Sequence, residues 1–262
     1  MATDLHVQRD QPSGVPPLAL TGERTLPDVP AENYWYRRHL AVYEWIGARV
    51  LGARVVDMAC GEGYGSAVLA RGANSVLGVE ANPEAFEHAR LRYGADNLRF
   101  ERGLVETHGE RGSYDAVVFL QTIEHVHDPV AVLAHFAQLL APGGAVYVST
   151  PNLLTLAPPG APKSDNPWHL REYRAHEFDA LCRTVFGDVE LLALHHARRL
   201  RLHELALRAG WDRVHRALGI TERFYDRFTP AISARDFTLR PYGFERALDF
   251  LAVCRRPRPP VV

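Results

Sequence analysis

A glycine-rich turn between a short apolar strand and a helix is the strongest chemical signal in the sequence. Residues 55–65 read VVDMACGEGYG. Glycines allow a backbone to approach a ligand closely and to adopt positive φ. Roughly 20 residues later a second apolar strand ends in Glu80, and a carboxylate at a strand end can accept hydrogen bonds from both hydroxyls of a ribose. The two features together predict an adenosine ligand across the carboxyl ends of these strands.

The residues of the turn favour S-adenosylmethionine over a dinucleotide. A dinucleotide-binding turn has its third glycine three residues after the second, where this chain has Ser66, and Gly65 comes too early. Asp57, near the strand end, would repel a pyrophosphate, whereas it suits a cationic sulfonium and ammonium. We therefore predict S-adenosylmethionine as the cofactor. A tight turn without any ligand is the alternative.

Residues 121–129, QTIEHVHDP, form a second group with chemical potential after another apolar strand. Methyl transfer is a direct displacement, so a protein must align the acceptor and remove a proton when the acceptor is an alcohol. His125 is the candidate general base, because imidazole accepts protons near neutral pH. Glu124 is its candidate assistant, and Gln121 is expected beside the methionine part of the cofactor. In the alternative interpretation, Glu124 and His125 only cap the following helix.

A long segment, residues 151–173, follows the next strand and contains NPWHLREY at its end. Loops of this length at a strand's carboxyl end usually build the substrate pocket. Trp168 and Tyr173 could stack on a sugar, and Arg171 and Glu172 could bind its hydroxyls. A packed surface loop with an internal Arg–Glu pair is the alternative.

Alternating strands and helices must position these groups. Helical spacing predicts an opening helix over residues 31–50, and apolar strands then alternate with helices up to residue 149. Such alternation implies parallel strands with right-handed crossovers and a sheet buried on both faces. We therefore predict an α/β fold with a doubly wound, mostly parallel, seven-stranded sheet and a helical insertion before the last strand.

The predicted domain boundaries follow from composition. Residues 1–18 are polar and proline-rich and are expected to be a disordered tail. The core spans residues 19–195, a helical insertion or cap spans 196–240, and the final strand and tail span 241–262. The insertion is the candidate contact of a homodimer.

Charge and cysteine content restrict partners and compartment. The net charge is −1 with a pI near 6.9, so no nucleic-acid partner is expected. Three scattered cysteines favour reduced thiols and a cytoplasmic location. No apolar run approaches the roughly 20 residues needed to cross a bilayer, so no membrane partner is expected.

The motifs of residues 55–80, YDAVV at 114–118 and LAPGG at 140–144 resemble, in this order, those of class I S-adenosylmethionine-dependent methyltransferases. The resemblance covers roughly residues 34–152 and implies a Rossmann-like fold. It implies that Asp57, Gly61 and Gly63 border the methionine part and that Glu80 binds the ribose. The family often has an acidic residue for the adenine amine where this chain has Gly103-Leu104-Val105, so Leu104 is expected to contribute backbone groups. The expected cofactor site comprises Asp57, Ala59, Gly61, Gly63, Tyr64, Glu80, Ala81, Leu104, Gln121 and Arg38.

A narrower resemblance comes from TGERTLP at residues 21–27, ENYWYRRH at 32–39 and the segment 166–173. These are similar to actinobacterial sugar O-methyltransferases of methylmannose and methylglucose polysaccharide biosynthesis. The similarity implies a sugar hydroxyl as acceptor, and therefore a small carbohydrate as the partner molecule. It also implies that Arg24, Tyr34 or Arg38 holds the cofactor carboxylate.

A metal site is an alternative role for the same catalytic cluster. Some class I enzymes acting on RNA ends or quinones carry Glu-x-x-Glu-His and a later His as ligands of a divalent ion. This chain resembles them at Glu124, His125 and His169 but has Gln121 in place of the first Glu, which weakens a Mg²⁺ site. His169 is thus a candidate both as a ligand and as a catalytic assistant.

Three functions remain open on the sequence alone. The leading hypothesis is O-methylation of a sugar or oligosaccharide, such as a mannoside or glucoside precursor of a polymethylated polysaccharide. The second is O-methylation of a quinone-like small molecule. The third is a non-catalytic module that binds an adenosine cofactor or a nicotinamide dinucleotide.

Overall fold

Short strands alternate with helices along most of the chain, as the apolar spacing predicts. The computed structural model describes residues 5–20, 24–158 and 160–259. The helices are α1 (Asn33–Gly47), α2 (Tyr64–Ala70), α3 (Pro83–Arg92), α4 (Pro129–Leu139), α5 (Leu153–Leu156), α6 (Ala175–Val185), α7 (Arg198–Arg208), α8 (Trp211–Ala217) and α9 (Thr221–Phe228). The strands are β1 (Leu5–His6), β2 (Leu18–Ala19), β3 (Arg54–Met58), β4 (Ser75–Glu80), β5 (Leu98–Arg102), β6 (Tyr114–Leu120), β7 (Leu140–Pro151), β8 (Phe186–His196), β9 (Phe237–Arg240) and β10 (Asp249–Pro257).

The central sheet has the strand order β5-β4-β3-β6-β7-β10-β8-β9. Strands β3 to β7 pair in parallel, and β10 lies antiparallel between β7 and β8. The sequence order reverses between β3 and β6, and parallel α/β sheets bind ligands at such a point, outside the carboxyl ends of their strands.

Both faces of the sheet are covered by helices. Val55 and Val118 pack into one core with residues of α1 and α2. Val56 and Val117, one residue away on the same strands, pack into the other core with residues of α4 and α6. Successive side chains of a strand point to opposite faces, so uninterrupted apolar strands are buried on both sides. The doubly wound, mostly parallel architecture is as predicted.

Capping residues keep the connections short at the carboxyl edge. Asn82 accepts hydrogen bonds from the N–H groups of Glu84 and Ala85, and Pro83 occupies the first turn of α3. Asp128 accepts one from Ala131 N–H, and Pro129 opens α4. Asx residues followed by proline favour helix starts. The starts of α3 and α4 are therefore fixed at the edge of the sheet where Glu80 lies.

The insertion differs from the prediction in one respect. Residues 196–240 contain α7, α8 and α9, as expected, but also the edge strand β9, which pairs antiparallel with β8. The sheet thus has eight strands instead of seven. An unpaired edge of β8 would leave backbone groups without partners, and Phe237 gains burial on the α1 side of the sheet. In the part of the chain that the structure describes, none of the helices combines the length and the apolar character that a membrane span requires.

The amino-terminal segment also differs from the expected disordered tail. In the described part of this segment, β1 pairs with β2, Leu18 is fully buried beside Leu26 and Val29, and Pro16 O lies 2.7 Å from His88 Nδ1. The polar composition did not reveal that its few apolar residues share one cluster. Residues 1–4, in the same predicted tail, lie outside the described residues.

Candidate active site

One cavity of about 560 Å³ opens at the carboxyl edge of the sheet. This volume lies within the range of small-molecule and cofactor sites. Its wall is formed by Arg24, Thr25, His39, Tyr43, Ala59, Cys60, Gly61, Glu62, Tyr64, Glu80, Ala81, Asn82, Leu120, Gln121, Thr122, His125, His127, Pro167, Trp168 and Leu170. The structure therefore brings together Ala59, Gly61, Tyr64, Glu80, Ala81, Gln121 and His125 from the predicted site.

Glu80 is held rigidly at the end of β4. Its two carboxylate oxygens accept hydrogen bonds from Gly61 N–H at 2.8 Å and from Asn82 N–H at 2.9 Å. Each carboxylate oxygen retains a further lone pair, so the group can also accept hydrogen bonds from ribose hydroxyls. Ala59 and Gly61 adopt positive φ of 56° and 59°, which turns the backbone away from β3 and along the cavity wall.

Asp57 lies beneath this wall and does not border the cavity directly. It is fully buried and accepts hydrogen bonds from Tyr43 Oη at 3.2 Å and Ser66 Oγ at 2.7 Å. Burial raises the pKa of Asp57 to about 7, although both hydrogen bonds act to lower it. Asp57 is therefore connected to the cavity through its hydrogen bond with Tyr43, which lines the wall.

Gly63 does not line the cavity, and packing requires a glycine at this position. It has a φ of 97°, and a Cβ there would lie 2.8 Å from Ala89 Cβ and 3.1 Å from the Phe100 ring. The glycine thus lets α2 start close to α3 and β5. The family resemblance implied that Gly63 borders the methionine part of the cofactor. A sequence motif does not show which side of a turn packs against the rest of the protein.

Two other predicted cofactor residues lie away from the cavity wall. Arg38 is buried in α1, where its guanidinium binds both carboxylate oxygens of Asp249 at 2.6 and 2.5 Å. Arg38 therefore cannot pair with a cofactor carboxylate without leaving the buried Asp249 carboxylate unpaired. Leu104 is 58% exposed after β5. Tyr34, named with Arg38 as a carboxylate partner, donates to or accepts from His196 Nε2 at 2.8 Å.

Several wall residues were not predicted. Thr25 lies 3.3 Å from Tyr64 Oη and 3.5 Å from His39 Nδ1, measured from Thr25 Oγ1. Burial lowers the pKa of His39 to about 4, so its ring is neutral. Arg24, a proposed carboxylate partner, does line the cavity. Asn82 could have been found from its Asn-Pro capping pair, whereas Thr25 and His39 lie in the segments 21–27 and 32–39 that carry the narrower resemblance, which assigned no role to either residue.

Glu62 is an unpredicted anchor under the glycine turn. It is buried and accepts hydrogen bonds from Gln8 Nε2 at 2.6 Å and from Tyr93 Oη at 2.6 Å. Burial raises the pKa of Glu62, whereas these hydrogen bonds act to lower it. The contact ties the amino-terminal segment to the cofactor turn.

The three predicted catalytic residues meet at the other end of the cavity. One potential ligand atom from each of Glu124, His125 and His169 lies within 4.8 Å of the others. Among them, His125 lines the cavity, whereas Glu124 and His169 are buried behind it. Thr150 Oγ1 donates to Glu124 at 3.0 Å, and burial raises the pKa of Glu124 to about 8.

Hydrogen bonds fix the orientation of both imidazoles. His125 Nδ1 lies 2.9 Å from the carbonyl oxygen of Trp168, so this nitrogen must carry the proton. His169 Nδ1 lies 2.7 Å from Glu172 Oε1, and Asn166 Nδ2 lies 3.0 Å from His169 Nε2. The sequence predicted Glu172 as a substrate contact, yet it is buried as the partner of His169.

Comparison with known proteins identifies the family. Residues 34–213 match the family described as a methyltransferase domain. A Mycolicibacterium smegmatis protein named a probable S-adenosylmethionine-dependent methyltransferase is 36% identical, over 92% of this chain and 96% of the relative. This chain belongs to the class I S-adenosylmethionine-dependent methyltransferases. The methyltransferase also shares 36% identity with a ubiquinone biosynthesis O-methyltransferase of Xanthomonas campestris, over 42% of this chain and 48% of that protein.

Solved structures agree with the fold of the methyltransferase. A crystal structure of an S-adenosylmethionine-dependent methyltransferase from Mesorhizobium loti superposes with a TM-score of 0.51 at 20% identity, covering 81% of this chain and 98% of that one. The family match and the M. smegmatis relative identify the cofactor as S-adenosylmethionine, which decides against the dinucleotide-binding module. The cavity fits this ligand, because it offers the rigid Glu80 carboxylate, a wall of backbone at Ala59 and Gly61, and the cation of Arg24.

Proposed function

We propose that the methyltransferase transfers a methyl group to a hydroxyl of a sugar or oligosaccharide, such as a mannoside or glucoside. The observation that carries the proposal is that His125 and the half-exposed Trp168 line the same cavity as Glu80. An indole beside a general base suits a sugar, since the ring can stack on its apolar face while the base takes a hydroxyl proton. The similarity of residues 21–27, 32–39 and 166–173 to sugar O-methyltransferases supports this acceptor class.

The residues of this chain would divide the reaction between two ends of the cavity. When bound, S-adenosylmethionine supplies a methyl group on a cationic sulfonium. Glu80 would hold the ribose, and Arg24 would pair with the amino-acid carboxylate. Since Trp168 O keeps the proton of His125 on Nδ1, Nε2 is the basic nitrogen. The acceptor oxygen would take the methyl group from the sulfonium, whose carbon–sulfur bond would break to leave the neutral thioether S-adenosylhomocysteine, and the hydroxyl proton would pass to His125 Nε2.

Labelled S-adenosylmethionine incubated with mannosides, glucosides and short oligomers tests the acceptor class. We expect label in at least one glycoside, in an amount that falls about 100-fold with His125→Ala. The methyltransferase should bind S-adenosylhomocysteine equally well in both forms. Labelled product from no glycoside, with intact cofactor binding, would refute the sugar acceptor.

A quinone-like acceptor is the second candidate. It is supported by the relative from X. campestris, which by its name acts in ubiquinone biosynthesis. The matched region covers 42% of this chain and 48% of that protein. The same assay with catechols and hydroxyquinols separates the two candidates, because label would then appear in the aromatic acceptor and in no glycoside.

A divalent metal at Glu124, His125 and His169 is an alternative role for the catalytic end. The closeness of the three ligand atoms supports this role. The hydrogen bonds at both Nδ1 atoms also support it, because a metal-binding imidazole usually donates the N–H of its other nitrogen to an oxygen. Two imidazoles and one carboxylate suit Mn²⁺, Fe²⁺ or Zn²⁺ better than Mg²⁺. Asn166 would have to release His169 Nε2.

Metal titration distinguishes the two roles of His125. If His125 is a ligand, calorimetry should detect Mn²⁺ or Zn²⁺ binding that disappears with His169→Ala, and chelation should abolish turnover. Full turnover in the presence of a chelator, with no binding of Mn²⁺, Zn²⁺ or Mg²⁺, would leave His125 as the base.

A further inference from the structure

Helix α7 in the insertion has an outer face of alternating cationic and apolar side chains. Arg198, Arg201, Leu202, Leu205 and Arg208 are all exposed, and their spacing of three and four residues places them on one side of the helix. We call this surface the arginine–leucine face. Leu202 is 69% exposed and Leu205 is 52% exposed, whereas Leu200 is buried on the opposite side.

The charge around this face is unlike that of the rest of the chain. Residues 198–228 contain eight arginines, no lysine and four acidic residues, while the whole chain has a net charge of −1. Glu204 pairs with Arg208, and Asp236 pairs with Arg199. Within the described part of the chain, Arg198 and Arg201 have no ion-pair partner. The cap is therefore strongly cationic on a protein that is otherwise acidic.

The face lies at the same edge of the sheet as the cavity. Strands β7 and β8 both run antiparallel to β10, so the carboxyl end of β8 lies at the edge where the cofactor cavity opens. Helix α7 begins two residues after that end. The insertion is attached to α1 by Tyr34–His196 at 2.8 Å and by Asn33 Nδ2 to Thr229 O at 2.8 Å. The insertion that carries the face is thus attached at the edge of the sheet where the cavity opens.

We propose that the arginine–leucine face docks on an anionic lipid bilayer surface. Arginines flanking exposed leucines suit such a surface, because the leucines enter the acyl boundary while the guanidinium groups reach phosphate headgroups. A second copy is disfavoured because two cationic caps would repel each other. A nucleic acid would use the arginines but would leave Leu202 and Leu205 in water. This proposal departs from the expectation of no membrane partner, which rested on the lack of a long apolar run, because sequence alone did not show which leucines are exposed.

Vesicle flotation tests the docking surface directly. We expect the intact protein to float with vesicles of phosphatidylcholine and phosphatidylglycerol at low salt, and to float at least about fivefold less with pure phosphatidylcholine. High salt should release it, because the attraction is partly electrostatic. The double variant Leu202→Asp/Leu205→Asp should lose binding to the anionic vesicles.

Leu51→Asp is the matched control, because Leu51 is 70% exposed in the turn after α1 and lies outside the arginine–leucine face. It should float like the wild type, and a thermal melt of each variant confirms that it is folded. Failure to bind anionic vesicles, equal binding to neutral ones, or undiminished binding of a folded double variant would each overturn the proposal. A dimer in sedimentation that the double variant dissociates would assign the face to a second copy instead.

Discussion

The two walls of the cavity are built in different ways. The cofactor wall comes from two adjacent strand ends, with Gly61 and Asn82 bonded to Glu80 across 19 and two residues. The rest of the wall is assembled from distant parts of the chain: Thr25 from the amino-terminal segment, His39 from α1 and Trp168 from the long loop. The difference shows that the cofactor wall at Glu80 is determined locally, whereas the rest of the wall depends on tertiary packing.

The largest expected effect is on the local wall. Glu80→Ala removes the ribose acceptor and leaves Gly61 and Asn82 N–H without their partner, so affinity for S-adenosylhomocysteine should fall at least about 100-fold. Glu84→Ala, an exposed carboxylate in the first turn of α3, is the matched control and should bind normally. Calorimetry measures both. Retained affinity in Glu80→Ala would show that another group binds the ribose.

A second substitution probes the catalytic end of the cavity, at the end of β6. His125→Ala should reduce turnover about 100-fold while affinity for S-adenosylhomocysteine stays within about threefold, because the base acts on the acceptor. His127→Ala, another imidazole of the wall, should change turnover by less than about threefold. Equal turnover in His125→Ala and wild type would remove His125 from the mechanism.

A substitution at Gly63 tests the packing behind the local wall. Gly63→Ala should lower the free energy of unfolding by about 2 kcal/mol, because a methyl group would clash with Ala89 and Phe100 and adopt an unfavourable φ. Gly112→Ala controls for φ alone, since Gly112 has a φ of 68° and open space around it. Denaturant unfolding measures both. An equal loss in the two variants would show that packing at Gly63 contributes nothing.

The smallest expected effect is a pH dependence from Asp57. Its pKa is raised from 3.8 to about 7 in the folded protein, so the folded state binds the proton more tightly than the unfolded chain. This contribution to stability is complete below pH 3.8 and is lost as the pH rises through 7. Relative to Asp57→Asn, the wild type without cofactor should therefore lose a few degrees of Tm between pH 5 and 8. Parallel Tm profiles would contradict the shift.

The sequence predicted most of what depends on local order. Apolar spacing placed the parallel strands and their helices, and the turn after β3 with Glu80 was found because adjacent parallel strands end at the same edge. His125 was found for the same reason, at the end of β6.

The sequence could not predict features that depend on distant partners. The family resemblance assigned Arg38 to the cofactor, and no local pattern reveals its actual partner, Asp249, which is 211 residues away. Asp57 and Gly63 were recognised from their places in the motif, but neither lines the cavity, and this depends on three-dimensional packing. The ordered part of the amino-terminal segment and β9 depend on pairing partners that composition does not reveal.

A crystal structure with bound S-adenosylhomocysteine would show whether Glu80 binds the ribose. We predict the ligand in the cavity at the carboxyl edge, with both ribose hydroxyls donating to the Glu80 carboxylate and the thioether sulfur facing His125. Ribose hydroxyls bound by other residues, or a ligand outside the wall of Ala59, Gly61 and Glu80, would contradict it.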